Sequence, residues 1–287
     1  MQLSLGSANF NFKYGFKKKK LNVYTLNKII QFIKKNLKII YIDTAFDYSG
    51  AITTLSKMDI KKFKIGTKIK FKDLNINKNL NTNKEYIKNK IIKLLSNLNI
   101  KKFEYLLIHD FYLLTKKEII FSYLILKELK KNQLVDKIGI SVYEPKELTK
   151  IWQIWKPDIV QLPLNIIDQR FLKTGWIKKL NKAKIKIHVR SIFLQGVLIS
   201  KLCQIKNSKL KQLVLKFIRW SSKTGISRID ACISFIKNQK IDRVIFGIEN
   251  QKQIETIIKS FKLKRKIYPS TFVNNKKYLI DPRVWQI

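Results

Sequence analysis

Two cysteines, Cys203 and Cys232, and two histidines, His109 and His188, are the only thiols and imidazoles in 287 residues. A zinc-type ligand cluster needs more of these groups at closer spacing, so a reducing, metal-free setting is expected. Glycine is scarce and scattered, and none of the nine lies two residues from another. The closely spaced glycines of an open dinucleotide-binding sheet or a phosphate loop are therefore missing. Long apolar runs are absent too, none approaching the roughly 18 residues that span a bilayer. The first residues look like a strand rather than a basic segment followed by an apolar core, so no membrane association is expected and the cytoplasm is the expected location. Acidic side chains are the remaining shortage, with nineteen Asp and Glu against sixty Lys and Arg, a net charge of +41. Such a balance ordinarily points to nucleic acid or an anionic membrane surface. Here the excess is nearly all lysine, spread through helices and loops beside Asn and Ile, whereas phosphate-reading surfaces draw on arginine. A solvated basic surface is expected, and a nucleic-acid partner is not.

What is present is a steady alternation of short apolar runs and amphipathic stretches. Strands are expected at residues 2–8, 39–42, 63–68, 103–108, 137–141, 158–161, 184–190 and 243–246. Helices are expected between and after them at 21–35, 51–58, 84–97, 116–130, 145–155, 171–182, 210–220, 228–237 and 251–260. Residues 9–20, with the run Lys17 to Lys20, and residues 75–83 read as loops. Strict alternation implies parallel strands with helical crossovers, and eight such units close into a barrel. Pattern alone also allows an open sheet of six to eight strands. No Pro/Gly/Ser linker divides the chain, so one (β/α)8 TIM barrel domain of the α/β class over residues 1–287 is expected.

Chemistry in such a barrel gathers where the strands end. The stretch Ile39-Ile40-Tyr41-Ile42 ends abruptly in Asp43, with Tyr48 five residues on. Phe63-Lys64-Ile65-Gly66-Thr67 ends in Lys68, and Tyr105-Leu106-Leu107-Ile108 ends in His109. Ser141, Gln161, Arg190 and Gly247 hold the same position in later units. Each has an ordinary structural explanation alone, such as a turn or cap for Asp43 or a lid on the core for Tyr48. Their convergence on one face is what a site requires.

Asp43 and Tyr48 in Asp-Thr-Ala-Phe-Asp-Tyr, Lys68 in Thr-Lys and His109 in Leu-Leu-Ile-His resemble the catalytic tetrad of the aldo-keto reductase family, in order and strand context. Leu5-Gly6-Ser7-Ala8, Ile138-Gly139-Ile140-Ser141, Val160-Gln161 and Phe246-Gly247 extend the resemblance over nearly the whole chain. The resemblance implies an NAD(P)H-dependent oxidoreductase that reduces an aldehyde or ketone, its substrate a small carbonyl compound. Tyr48 would protonate the carbonyl oxygen, Lys68 would stabilise the phenolate, Asp43 would hold Lys68, and His109 would bond the substrate oxygen or relay the proton. Ser141 and Gln161 would hold the nicotinamide carboxamide. At the seventh strand the family usually has an aromatic ring beneath the nicotinamide; this sequence has Arg190, with Phe193 and Gln195 nearby.

The adenine end is expected near Gly247, Glu249, Lys252 and Gln253, where a helix N-terminus offers free N–H groups to a phosphate. Lys252 would favour the 2′-phosphate of NADP and Glu249 would oppose it. NADP(H) is expected ahead of NAD(H), on family habit and the basic field. Residues 281–285 come close to the end of the chain, which implies an open pocket suited to a sugar-like substrate. The competing expectation is a barrel that binds nicotinamide as a regulatory or sensing module without turnover.

Overall fold

The computed structural model describes residues 1–10, 21–36, 40–72, 80–264, 272–274 and 276–285. The Lys17 to Lys20 run and residues 75–79 of the expected loop lie outside them. In the first half, β1 (Gln2–Gly6) precedes α1 (Val23–Asn36), β2 (Tyr41–Asp43) precedes α2 (Ala51–Ser56), β3 (Lys64–Ile69) precedes α3 (Leu80–Leu98), and β4 (Phe103–Ile108) precedes α4 (Lys116–Lys131). The second half runs β5 (Val135–Ser141), α5 (Pro145–Trp152), β6 (Ile159–Pro163), α6 (Arg170–Lys173), α7 (Trp176–Lys182) and β7 (Lys186–Arg190). It continues with α8 (Ser208–Thr224), α9 (Arg228–Lys237), β8 (Arg243–Phe246), α10 (Gln251–Lys262) and α11 (Lys277–Ile280). Every strand pairs in parallel with the next, and β8 pairs with β1, so the sheet closes as a (β/α)8 TIM barrel rather than staying open. Among the described residues no helix is long and apolar enough to cross a membrane.

Local chemistry sets the element boundaries. Helix α4 starts at a capping box in which Thr115 and Glu118 satisfy each other's backbone N–H groups, and Asn207, Ser227 and Asn250 cap α8, α9 and α10. Along α3, Ile87, Ile91, Leu95 and Leu98 are buried at helical spacing, the stripe that seats the helix on the barrel. The single helix expected over residues 171–182 is two helices. Gly175 takes φ 74° between them, a left-handed conformation that ends α6 and opens α7. The helix expected over 145–155 stops at Trp152, and Ile151 O accepts from both Ile154 N and Trp155 N in a closing turn.

The barrel interior is unusually polar for a core normally filled with branched aliphatics. Tyr105, Leu107 and Ile159 form an apolar cluster of their own, apart from the large core between strands and helices. At the N-terminal end, buried Arg243 makes a two-pronged pair with Glu104 at 2.6 and 2.7 Å and stacks 3.6 Å above the ring of Tyr41. Between this plug and the strand ends lies His188, buried and edge-on to Tyr105 at 5.1 Å.

Burial, reinforced by the Arg243 charge, pushes the His188 imidazole well below its ordinary pKa. The unfolded chain therefore takes up a proton below about pH 6.5 that the folded chain refuses. Stability should fall as the pH drops below that value. Urea unfolding of wild type and His188→Gln at pH 7 and pH 5 checks it. The variant should lose less on acidification, and an equal loss would contradict the assignment.

Candidate active site

Asp43 ends β2 with its carboxylate buried, and such a charge is tolerable only if paired and hydrogen-bonded. Three donors meet it. Lys68 Nζ donates to Oδ1 at 2.5 Å, Tyr105 Oη donates to Oδ2 at 2.6 Å, and Gln161 Nε2 donates to Oδ2 at 2.8 Å. Lys68 also donates to the Thr44 carbonyl at 2.9 Å. Strand register explains the meeting. Asp43 pairs with Gly66, which puts Lys68 two residues along β3 on the same face, and Gly66 in turn pairs with Tyr105.

Past β2 a tight turn, with Tyr48 N on Ala45 O and Ala51 N on Tyr48 O, returns the Tyr48 ring over this pair. Lys68 Nζ lies 5.2 Å from the ring centroid, and His109 approaches the ring edge-on at 5.8 Å. The turn and strand ends thus bring Asp43, Tyr48, Lys68 and His109 together. The His109 Nδ1 bonds Asp47 Oδ1 at 2.8 Å, and Lys70 pairs with the other Asp47 oxygen at 3.0 Å. His109 and Lys70 hold the Asp47 carboxyl far below the usual range although burial opposes them. An ionised Asp47 can only accept, so Nδ1 carries the proton. Burial lowers the His109 pKa, against the pull of Asp47, and the neutral ring therefore turns a lone pair at Nε2 outward.

In the protein alone the ionisation of Tyr48 is disfavoured. Burial, and then the Asp43 charge, push the Tyr48 hydroxyl well above the ordinary tyrosine value. Tyr48 is consequently a protonated donor across the neutral range.

A cavity opens beside Tyr48 and Asp43, and Gln161, Arg190, Phe193, Gly247, Glu249 and Gln253 line it. Ser141 and Lys252 do not. Ser141 is buried one strand away, paired in register with Gln161, and Lys252 stands exposed on the first turn of α10. Among the described residues, Ser141 Oγ and Gln161 Oε1 are both buried without a hydrogen-bond partner. A hydroxyl and an amide oxygen together complement a primary carboxamide, which accepts from the one and donates to the other. At the α10 end, Gln253 Oε1 accepts from Glu249 N at 2.6 Å. Between Arg190 and α8, Ser191, Leu194, Gln195 and Gly196 all take positive φ, and all of these but Leu194 line the cavity.

Arg190 does not lie free as a platform. Its Nη2 donates to Val142 O at 3.0 Å, and its guanidinium stacks 4.1 Å from the Tyr143 ring. Arg283 stacks on the same ring at 3.7 Å and is held by Asp281. Lys277 also pairs with Glu144 at 2.9 Å, so the segment 277–284 packs against the turns that follow β4 and β5. Guanidinium stacking across a long sequence separation leaves no periodic signal, which is why the pattern missed it.

Three further residues escaped the sequence. Asn9 lines the cavity and donates through Nδ2 to Ile248 O at 2.6 Å. Asp47 sits inside the motif that carries Asp43 and Tyr48, so its proximity to the site was available. Tyr105 looks like one more apolar strand residue, and only the register reveals it.

The sequence profile of the Aldo/keto reductase family matches residues 2–269. The holo form of an aldo-keto reductase from Bacillus halodurans superposes with a TM-score of 0.67 at 15% identity, covering 92% of this chain and 87% of that one. A Pseudomonas aeruginosa protein provisionally assigned as an aldo-keto reductase gives 0.64 at 14% identity, covering 90% and 88%. At such identities the likeness speaks for the fold. No curated protein matches the chain.

Proposed function

The chain belongs to the aldo/keto reductase family, and on that premise we propose that it reduces an aldehyde or ketone to an alcohol with Tyr48 as general acid. Nicotinamide-dependent carbonyl reduction is what membership in the family implies. One observation carries the assignment of roles, namely the buried Asp43 and Lys68 pair beneath Tyr48, with His109 edge-on and a cavity alongside. Ser141 and Gln161 would hold the carboxamide, Arg190 and Phe193 would border the nicotinamide, and Gly247, Glu249, Lys252 and Gln253 would meet the adenine end. The reduced nicotinamide, when bound, supplies the hydride.

Tyr48 gives its proton to the carbonyl oxygen, and the Lys68 ammonium close to its ring stabilises the phenolate left behind. Asp43 holds Lys68 in place. His109, with Nδ1–H spent on Asp47, accepts through Nε2 and so binds the alcohol hydroxyl at neutral pH. It donates to a carbonyl oxygen only as imidazolium. In the oxidising direction the Tyr48 phenolate takes the proton back.

NADP(H) is proposed over NAD(H), because a field of +41 and Lys252 on the first turn of α10 both favour an added phosphate. Titration with NADPH and with NADH, followed by nicotinamide emission, tests this. NADPH should bind several-fold more tightly, and Lys252→Ala should narrow the gap without touching NADH. Equal affinities would contradict the preference, and failure to bind either would remove the nicotinamide site itself.

A further inference from the structure

We propose that Tyr105 is a positioning residue for the reaction: its buried hydroxyl orients Asp43, and through Asp43 the Lys68 ammonium, and Gly66 exists to make room for its ring. The proposal rests on the assignment of Tyr48 as the acid and deepens it.

Geometry carries it in two independent pieces. First, the Tyr105 hydroxyl reaches Asp43 Oδ2 at 2.6 Å, inside a barrel where the ring is fully buried. A phenol so deep is costly unless its hydroxyl finds an acceptor, and this one finds a carboxylate, among the stronger kinds of hydrogen bond. Oδ1 is left to Lys68, and Oδ2 is shared by Tyr105 and Gln161. The two oxygens cannot exchange roles without breaking these bonds, so the carboxylate plane is fixed and the ammonium stays at 5.2 Å from the Tyr48 ring. Second, the neighbouring strand is built around the ring. A Cβ on Gly66 would lie 1.9 Å from Tyr105 Cζ and 2.1 Å from Cε1, distances no side chain can tolerate. Gly66 and Tyr105 are register partners, so glycine in the middle of β3 is a consequence of the tyrosine.

The hydroxyl also bears on charge. Its dipole draws down the negative potential that Asp43 exerts on Tyr48, and more of the Lys68 field is then available to the phenolate. The other ionisable groups facing Tyr48 are Asp47 on its own segment, Lys68 from β3, His109 after β4, Tyr143 after β5 and Arg190 from β7. None of them is removed by changing Tyr105.

The test uses the full chain with NADPH and 4-nitrobenzaldehyde within a panel of simple aldehydes and ketones. Tyr105→Phe keeps the ring and removes only the hydroxyl. It should lower kcat about tenfold while leaving KM and NADPH affinity unchanged. The basic limb of the kcat profile for reduction should move to higher pH, because a less screened Asp43 disfavours the Tyr48 phenolate. A merely structural role would not move that limb. A readout free of turnover is the hydroxyl proton itself: proton NMR of the wild type should show a slowly exchanging downfield resonance that vanishes in Tyr105→Phe.

The Gly66 half is tested by unfolding. Gly66→Ala should destabilise the wild type severely and cost far less when combined with Tyr105→Leu. Equal cost in both backgrounds would overturn the room-making role. Wild-type kcat and pH profile in Tyr105→Phe, with Tyr48→Phe inactive, would overturn the positioning role and leave the assignment of Tyr48 intact. Full turnover in Tyr48→Phe would bring down both.

Discussion

Tyr48→Phe is expected to lower carbonyl reduction about a thousandfold and to leave NADPH affinity unchanged. The substitution removes one oxygen from a ring that packs beside Lys68 and His109, so the walls of the cavity survive. What is lost is the hydroxyl donor that faces the cavity over the Asp43 and Lys68 pair. His109 is no substitute, because its neutral ring offers Nε2 as an acceptor. A Tyr48→Phe protein that binds NADPH normally and no longer reduces any aldehyde of a broad panel fits the assignment. Turnover within tenfold of wild type would require another acid.

Lys68→Met carries the second large effect, and it falls on stability as well as rate. Asp43 would keep Tyr105 and Gln161 but lose its countercharge inside a closed barrel. Removing one partner of a buried ion pair typically costs about 3–5 kcal/mol, since the remaining charge is buried without compensation. Urea denaturation should therefore show a large drop for Lys68→Met and partial recovery when Asp43→Asn is added. Activity should stay lost in the double variant, because the ammonium that stabilises the phenolate is gone. A Lys68→Met protein of wild-type stability would mean that the pair is not buried as described.

These two substitutions fall on residues that stood out in the sequence for a physical reason. A strand buried on both faces is apolar until it leaves the core, so an acid, an ammonium or an imidazole at its end is conspicuous. Strand alternation likewise made the barrel legible, and β4 and β8 keep the boundaries the pattern predicts. Gly175 divides a helix that periodicity alone runs together. Tyr105 stayed hidden because it stands between apolar neighbours, and the pattern does not reveal that Gly66 faces it. The stacking of Arg190 and Arg283 on Tyr143 stayed hidden too, because the three meet only through tertiary packing.

The central claim, that the cavity beside Tyr48 serves hydride transfer to a carbonyl, is tested most directly by following the label. Purified protein would be incubated with NADPH carrying deuterium at both C4 positions and 4-nitrobenzaldehyde, and the alcohol analysed by mass spectrometry and NMR. One deuterium on the former carbonyl carbon, formed by wild type and not by Tyr48→Phe, is the predicted result. Alcohol without that deuterium, or NADPH bound tightly with no alcohol from any carbonyl tried, would contradict it.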